Sequence, residues 1–300
     1  MFLQVISDFD YTLSRFHDAQ GGSCWTTHGV FDSAAACVAP ELGDIFQRLK
    51  AKYLPVEFDP HMTIAQKTPL MEEWWRKSHE HIIKAGFTKQ TIQKFVGESK
   101  LELRDGAKEM ILALCGRCVP FIIFSAGVGN VIEFFLQKTF GGILPNNVHI
   151  ISNMMEYDEN DVAVAFSEPL IHTFCKNSAV ISYHGSLFSE ISSRKCVLLL
   201  GDSLGDLNMD VGVQDEQVAL KIGFLNFDSE ALMGKFLDGY DIVLLDDQSM
   251  QVPNLILDSL FGIGGAPDGD DVNLCMFCRK FRIVFFLWVH GVCVCVCVYC

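Results

Sequence analysis

Leu3-Gln4-Val5-Ile6-Ser7-Asp8-Phe9-Asp10 is the stretch on which the reading of the fold turns. Five uncharged, mostly apolar residues run straight into two carboxylates. A buried parallel strand reads this way, because both its faces are covered and its polar chemistry collects at the carboxyl end. On a regular strand, residues 8 and 10 would share a face. Where a strand gives way to a turn they can diverge, so that one attacks while the other moves a proton. A bare Asp-x-Asp is as readily a solvated acidic loop, and the rest of the chain has to decide.

Working outward, apolar runs recur at 120–124, 148–152, 197–201, 219–222 and 242–245. Helix-like stretches at 106–116, 130–138 and 229–236 separate most of them. This alternation predicts an α/β fold with a doubly wound, mostly parallel sheet. Residues 18–100 break it with helical patterns at 41–52, 64–85 and 89–99, and Asp59-Pro60 marks a turn between the first two. An insertion there would lie over the end of the first strand as a helical cap. The expected division is a core of residues 1–17 and 101–262, a cap of 18–100, and a tail from 263 onward.

The chain has 300 residues, half of them hydrophobic, with 23 Lys+Arg against 37 Asp+Glu and a net charge of −14. Such a balance argues against a nucleic-acid backbone as partner. An acidic protein that handles an anionic substrate needs local positive charge, often a metal ion. Of the 12 cysteines, Cys275, Cys278, Cys293, Cys295, Cys297 and Cys300 crowd into the tail, and the others lack the spacing of a disulfide framework. Met1-Phe2-Leu3-Gln4 leads directly into Asp8 and Asp10, so a cytosolic protein with reduced thiols is expected.

The tail differs from the rest. Residues 264–271 have a linker composition, and residues 283–300 are almost wholly apolar, ending in Val-Cys alternation. That run approaches the ~20 residues that span a bilayer, but His290 and Gly291 interrupt it and no basic cluster follows. A translated simple nucleotide repeat accounts for it as well. It is therefore expected to lie outside the fold, with a membrane anchor as the alternative. Cys275-x-x-Cys278 has no second pair at finger spacing to complete a zinc site.

Three further features accompany Asp8 and Asp10. Val197-Leu198-Leu199-Leu200 leads into Gly201-Asp202-Ser203-Leu204-Gly205-Asp206, a second strand end closed by carboxylates of the kind hard Mg²⁺ favours. Phe121-Ile122-Ile123-Phe124-Ser125-Ala126-Gly127 would expose Ser125 at a strand exit, where small neighbours let backbone N–H groups reach a phosphate oxygen. Lys176 could neutralise a phosphoryl oxygen and steady a nucleophile. A carboxylate attacks phosphorus effectively when a bound Mg²⁺ withdraws charge from the phosphoryl group.

Asp, Ser, Lys and paired Asp in this order resemble the haloacid-dehalogenase-like phosphohydrolases. Segments 6–16, 124–129, 200–207, 221–225 and 240–244 are similar to the cytosolic 5′-nucleotidase III (pyrimidine 5′-nucleotidase) family over roughly residues 3–262. The resemblance implies Asp8 as nucleophile and Asp10 as general acid and then base. It implies Mg²⁺ held by Asp8, the backbone carbonyl of Asp10, and Asp202. Ser125, Ala126 and Lys176 would bind the phosphate, and a nucleotide would be hydrolysed through an aspartyl-phosphate. A monomer acting on a small nucleotide, with neither nucleic acid nor membrane as partner, is the matching expectation.

Within the family, Asp59-Pro60-His61, Glu73-Trp74-Trp75 and His172-Thr173 resemble the 7-methylguanosine phosphate-specific branch. Glu57 would face the base, with Ser78 nearby. N7-methylation makes guanine cationic, and a cation over an indole face gains ~0.5–2 kcal/mol. Trp75 with Glu57 would supply stacking and a carboxylate, whereas one of the two adjacent tryptophans must face the helix core. Ser78 stands where that branch is expected to carry alanine, so both 7-methylguanosine monophosphate and CMP or UMP are candidate substrates. The alternatives are a pyrimidine-specific enzyme with nucleoside phosphotransferase activity and a catalytically silent phosphate-binding homologue. Departures from the family pattern fall at Asn130, Ser167-Glu168 and 209–212.

Overall fold

The structure is a computed structural model of the chain. It describes residues 2–262 apart from 60, 177–190, 192–193 and 211–217, with side chains 34–38 and 58 also outside the description, together with the backbone of three C-terminal strands. Strands β1 (Leu3–Ser7), β2 (Phe121–Val128), β3 (Val148–Asn153), β6 (Cys196–Gly201), β7 (Val218–Leu225) and β8 (Ile242–Leu245) form the parallel part of one sheet, in the order β3-β2-β1-β6-β7-β8. A short antiparallel hairpin, β4 (Met155–Tyr157) with β5 (Ala163–Phe166), stands apart from it.

Side-chain alternation sorts this sheet into two cores. Val5, Phe121, Ile123, Leu198, Leu200, Ile222 and Phe224 belong to one apolar cluster; Ile6, Ile122, Phe124, Val197, Leu199, Leu225 and Val243 belong to the other. Helices α5 (Ala107–Cys115), α6 (Gly129–Thr139) and α8 (Gln251–Phe261) cover the first face, and α7 (Ser229–Gly239) packs on the second. Both faces of β1 are thus buried, which is why its five residues carry no charge. The strand order changes direction at β1, so the carboxyl ends of β1, β2 and β6 meet at the crevice where α/β sheets bind ligands.

Helices α1 (Thr27–Val38), α2 (Pro40–Phe58), α3 (Ile64–Lys84) and α4 (Lys89–Glu98) intervene between β1 and β2. α1 and α4 share the large core cluster with α6 through Val30, Phe31, Ile92 and Phe95. The α2–α3 pair has its own cluster of Tyr53, Met71 and Trp75. Thr63 and Gln66 form a reciprocal capping box at the start of α3. α2 runs six residues beyond the expected 52, through Pro55, and this places Glu57 on its last turn. Helices α1 and α8 and the β4–β5 hairpin are additions to the elements read from the sequence.

Beyond residue 272, β9 (Asn273–Arg279), β10 (Arg282–Val289) and β11 (Val292–Tyr299) form an antiparallel meander. β11 pairs antiparallel with β8, so the tail extends the sheet edge here.

Candidate active site

Asp8 follows the last residue of β1, and its N–H donates to the Leu200 carbonyl at 3.0 Å, tying it to β6. Residues Phe9–Leu13 then wind into a wide turn in which Tyr11 is left-handed, at φ 62°. Arg104 braces that turn. Its buried guanidinium donates to the carbonyls of Tyr11, Thr12 and Asp247 and to Asn226 Oδ1, and lies 4.2 Å from the Phe224 ring centroid. The turn is what separates the two carboxylates.

Asp8 points to Lys176, whose Nζ donates to Asp8 Oδ1 and, at 2.7 Å, to Asp206 Oδ1. All three side chains are at most 5% exposed. Asp206 Oδ2 accepts from the Asp202 and Ser203 N–H groups at 3.2 and 3.0 Å and from Ser203 Oγ at 2.9 Å. Asp10 turns the other way: Oδ1 accepts from Thr27 N–H at 2.7 Å and Oδ2 from Thr27 Oγ1 at 2.6 Å. Thr27 Oγ1 in turn accepts from Val128 N–H at 3.2 Å, at the end of β2.

The electrostatics follow from burial. Desolvation pushes Asp8 up to about 7 against the pull of Lys176, with Asp206 adding to the rise. Burial likewise lifts Asp10 to about 6, opposed by the two Thr27 hydrogen bonds. Asp202 is raised by burial and by Asp8 and Asp206. Burial alone would lower Lys176, but Asp206 and Asp8 hold it well above the usual lysine range, so it stays cationic. A carboxyl that titrates near 6 can carry a proton to a leaving group and later take one from water.

Carboxylate oxygens of Asp8, Asp202 and Asp206 lie within 4.8 Å of one another. Three hard oxygen donors with one ammonium among them suit a divalent cation. Both oxygens of Asp206 are already engaged by donors, which makes it an orienting group for Lys176 and the 202–206 loop more than a ligand. Among the described residues Asp202 is the freer carboxylate, with Thr12 Oγ1 at 3.5 Å from Oδ1. The Asp10 side chain is outside this group.

At the end of β2, Ser125 is buried and its Oγ accepts from Gly127 N–H at 3.0 Å. A Cβ at residue 127 would fall 2.0 Å from Thr27 Oγ1 and 2.9 Å from Asp10 Oδ2, so only glycine lets this loop approach Asp10. The Ala126 carbonyl accepts from Trp75 Nε1 at 2.7 Å and from Asn153 Nδ2 at 2.8 Å. Trp75 is thereby turned toward the core loop, while Trp74 stacks on Tyr53 with centroids 5.9 Å apart. Glu57 Oε1 accepts from Thr173 Oγ1 at 2.7 Å, and Lys67 Nζ donates to the Glu57 carbonyl at 2.7 Å. Ser78 is buried one turn after Trp75. The structure brings Asp8, Lys176 and Asp202 together directly, and links Ser125, Ala126, Trp75 and Glu57 to them through shared loops.

Thr27, Asn153, Thr173, Asp206 and Arg104 complete the arrangement without having been singled out as site residues. Asp206 was legible as the second carboxylate of the Gly-Asp-Ser-Leu-Gly-Asp segment. Thr173 was legible only as part of the His172-Thr173 segment, without a role, and Thr27, Asn153 and Arg104 carry no local signal, because their partners lie far away in the chain. The departures are absorbed structurally. Asn130 Oδ1 accepts from Met155 N–H at 2.6 Å, Ser167 Oγ from Met154 N–H at 3.0 Å, and Glu168 pairs with Arg76 at 2.8 Å. Asp210 pairs with Lys221 at 2.6 Å, so that carboxylate has its own counter-charge. Val211 and Gly212 lie outside the described residues.

The family model for pyrimidine 5′-nucleotidase (UMPH-1) matches residues 11–261, most of the chain. This chain belongs to that family. A Caenorhabditis elegans putative cytosolic 5′-nucleotidase 3 is 51% identical over 256 residues, covering 85% of this chain and 68% of that one. The 7-methylguanosine phosphate-specific 5′-nucleotidase of Gallus gallus is 42% identical over 255 residues, covering 85% and 86%. Among solved structures, cytosolic 5′-nucleotidase IIIB bound to cytidine matches with a TM-score of 0.77 at 34% identity, over 87% of this chain and 86% of that one. A substrate-bound phosphoserine phosphatase shares the fold, at TM-score 0.50 and 14% identity over 85% and 97%. The fold of this family member is therefore the haloacid-dehalogenase-like one read from its motifs.

Proposed function

We propose that this family member is a cytosolic, Mg²⁺-dependent 5′-nucleotidase that hydrolyses nucleoside 5′-monophosphates, 7-methylguanosine monophosphate and CMP or UMP among them. The single observation that carries the reading is the opposed pair at the end of β1: Asp8 against a buried lysine, Asp10 against a threonine. A phosphate-binding protein has no need of a second carboxyl held away from the first. The relatives' names support the nucleotide class, and the cytidine-bound neighbour supports a nucleoside as the group that carries the phosphate. Among the described residues, no helix is long and apolar enough to cross a membrane. A monomer fits, since one chain supplies every site residue named, with 1–17 and 101–262 as core and 18–100 as cap.

Mg²⁺ would be held by Asp8, Asp202 and the Asp10 main-chain carbonyl, and when bound it draws charge from the phosphoryl oxygens and offsets carboxylate repulsion. Lys176 and the 125–127 loop position the phosphate. An Asp8 oxygen attacks phosphorus, the bond to O5′ breaks, and protonated Asp10 gives its proton to O5′ as the nucleoside leaves. Asp10, now ionised, takes a proton from water. The hydroxide formed attacks the aspartyl-phosphate, releasing phosphate and regenerating the Asp8 carboxylate. Positioning and charge neutralisation supply most of the acceleration. Trp75 and Glu57, with Ser78 beside them, read the base.

Phosphate release from a panel of nucleotides tests this. Wild type with Mg²⁺ is expected to release phosphate and Asp8→Asn is not. Trp75→Ala should cost 7-methylguanosine monophosphate up to about tenfold more in kcat/KM than CMP, the size of a cation–π contact. Inactivity of wild type on every nucleotide refutes the function, and equal Trp75→Ala losses refute the stacking role.

A further inference from the structure

Glu57 belongs to the cap by sequence, yet its carboxylate is held by the core. Thr173 Oγ1 donates to Glu57 Oε1 at 2.7 Å across the boundary between the two. Thr173 stands three residues before Lys176, on a loop with little room to move. Asn153 grips the residues just ahead of it, donating from Nδ2 to the Ile171 carbonyl at 2.8 Å and accepting the Ile171 N–H on Oδ1 at 2.9 Å. On the other side, the Thr173 carbonyl packs so closely on Gly205 that a Cβ there would lie 2.4 Å from it. Gly205 is in the loop that carries Asp202 and Asp206. The Asn153 amide also donates to the Ala126 carbonyl, the acceptor of Trp75 Nε1. Two of the cap side chains assigned to the base, Trp75 and Glu57, thus end on core atoms organised by one asparagine.

We propose that Thr173 is a positioning residue for nucleotide specificity, clamping the base-reading carboxylate of Glu57 to the loop that supplies Lys176. The inference rests on the 5′-nucleotidase reading and deepens it. With Oε1 held by the hydroxyl, Oε2 remains an acceptor of the kind that suits bases presenting N–H donors on their Watson–Crick edge. The distance from carboxylate to Lys176 is then set by three residues of one loop, not by how the cap happens to sit. A nucleotide of the right length satisfies both ends, and a sugar phosphate satisfies only the phosphate end.

The test compares Thr173→Val and Thr173→Ser on two substrates, ribose 5-phosphate and whichever of CMP and 7-methylguanosine monophosphate the wild type turns over faster. A lost hydrogen bond to a charged group predicts a fall of about tenfold in the nucleotide-to-ribose 5-phosphate ratio of kcat/KM for Thr173→Val, expressed mainly in the nucleotide KM. Thr173→Ser, which keeps the hydroxyl, restores most of that ratio. In a Glu57→Gln background, adding Thr173→Val changes the ratio by less than about twofold, because the group it positions is already altered. Equal losses on both substrates, or a full second loss in that background, overturn the positioning role while the nucleotidase reading stands. A wild type that turns over neither nucleotide overturns both.

Discussion

Lys176→Met removes a charge while keeping the length of the side chain, and the structure fixes the consequence. The ammonium bridges Asp8 and Asp206, and Asp202 belongs to the same buried group of carboxylates. Removing one partner from a buried ion pair costs about 3–5 kcal/mol, since the remaining charge has no counterpart. At about 2–4 °C per kcal/mol for a domain of this size, the melting temperature should fall by about 6–20 °C at pH 8 in EDTA. The sign of the pH effect is also determined. Burial already lifts Asp8 to about 7 against the pull of Lys176, so losing the lysine lifts it further. A group whose folded pKa lies above its unfolded one stabilises the fold at low pH and loses that contribution as pH rises through the folded value. The variant's deficit should therefore shrink at pH 5, where Asp8 is protonated. Mg²⁺ should restore part of the stability at pH 8. Thermal unfolding at pH 5 and 8, with EDTA and with Mg²⁺, is the assay. A melting temperature equal to that of wild type at pH 8, or a deficit of the same size at both pH values, would refute the reasoning.

Two more predictions come from the same geometry. Thr27→Val strips Asp10 of its hydroxyl donor, and kcat should fall about tenfold or more, with Thr27→Ser close to wild type; stopped-assay kinetics under saturating nucleotide measures both. In EDTA, wild type should lose stability as pH rises from 4 toward 7, because Asp10 (about 6) and Asp8 (about 7) bind protons in the folded state that the unfolded chain has released, and the benefit of Mg²⁺ should grow over the same range; melting curves against pH read this directly.

The parallel sheet was legible because its signal is local. Runs such as Val197-Leu198-Leu199-Leu200 are apolar on both faces, and a strand buried on both faces has no other composition open to it. The chemistry was legible for a related reason: acidic residues that end such strands collect at one edge of a parallel sheet. Thr27, Asn153 and Arg104 were not, since each earns its place through a partner more than 15 residues away; Thr173 was quoted in a segment, but its partner Glu57 is 116 residues away, so its role was not legible. Helix α2 extends past the expected 41–52 to Phe58, although a proline inside a helix is normally unfavourable. Here Pro55 sits inside one whose last turn is held by Lys67 on the Glu57 carbonyl. Asp8 and Asp10 are the instructive pair, because the spacing of a regular strand would put them on one face, and they part where the strand gives way at Phe9 to the Phe9–Leu13 turn.

Acid-quenched enzyme, caught during turnover of its nucleotide and mapped by peptide mass spectrometry, reports on the nucleophile itself. A phosphoryl group carried on Asp8, labile to hydroxylamine and missing from Asp8→Asn, is the predicted result. Turnover with phosphate bound to another residue, or undiminished turnover by Asp8→Asn, would contradict the account.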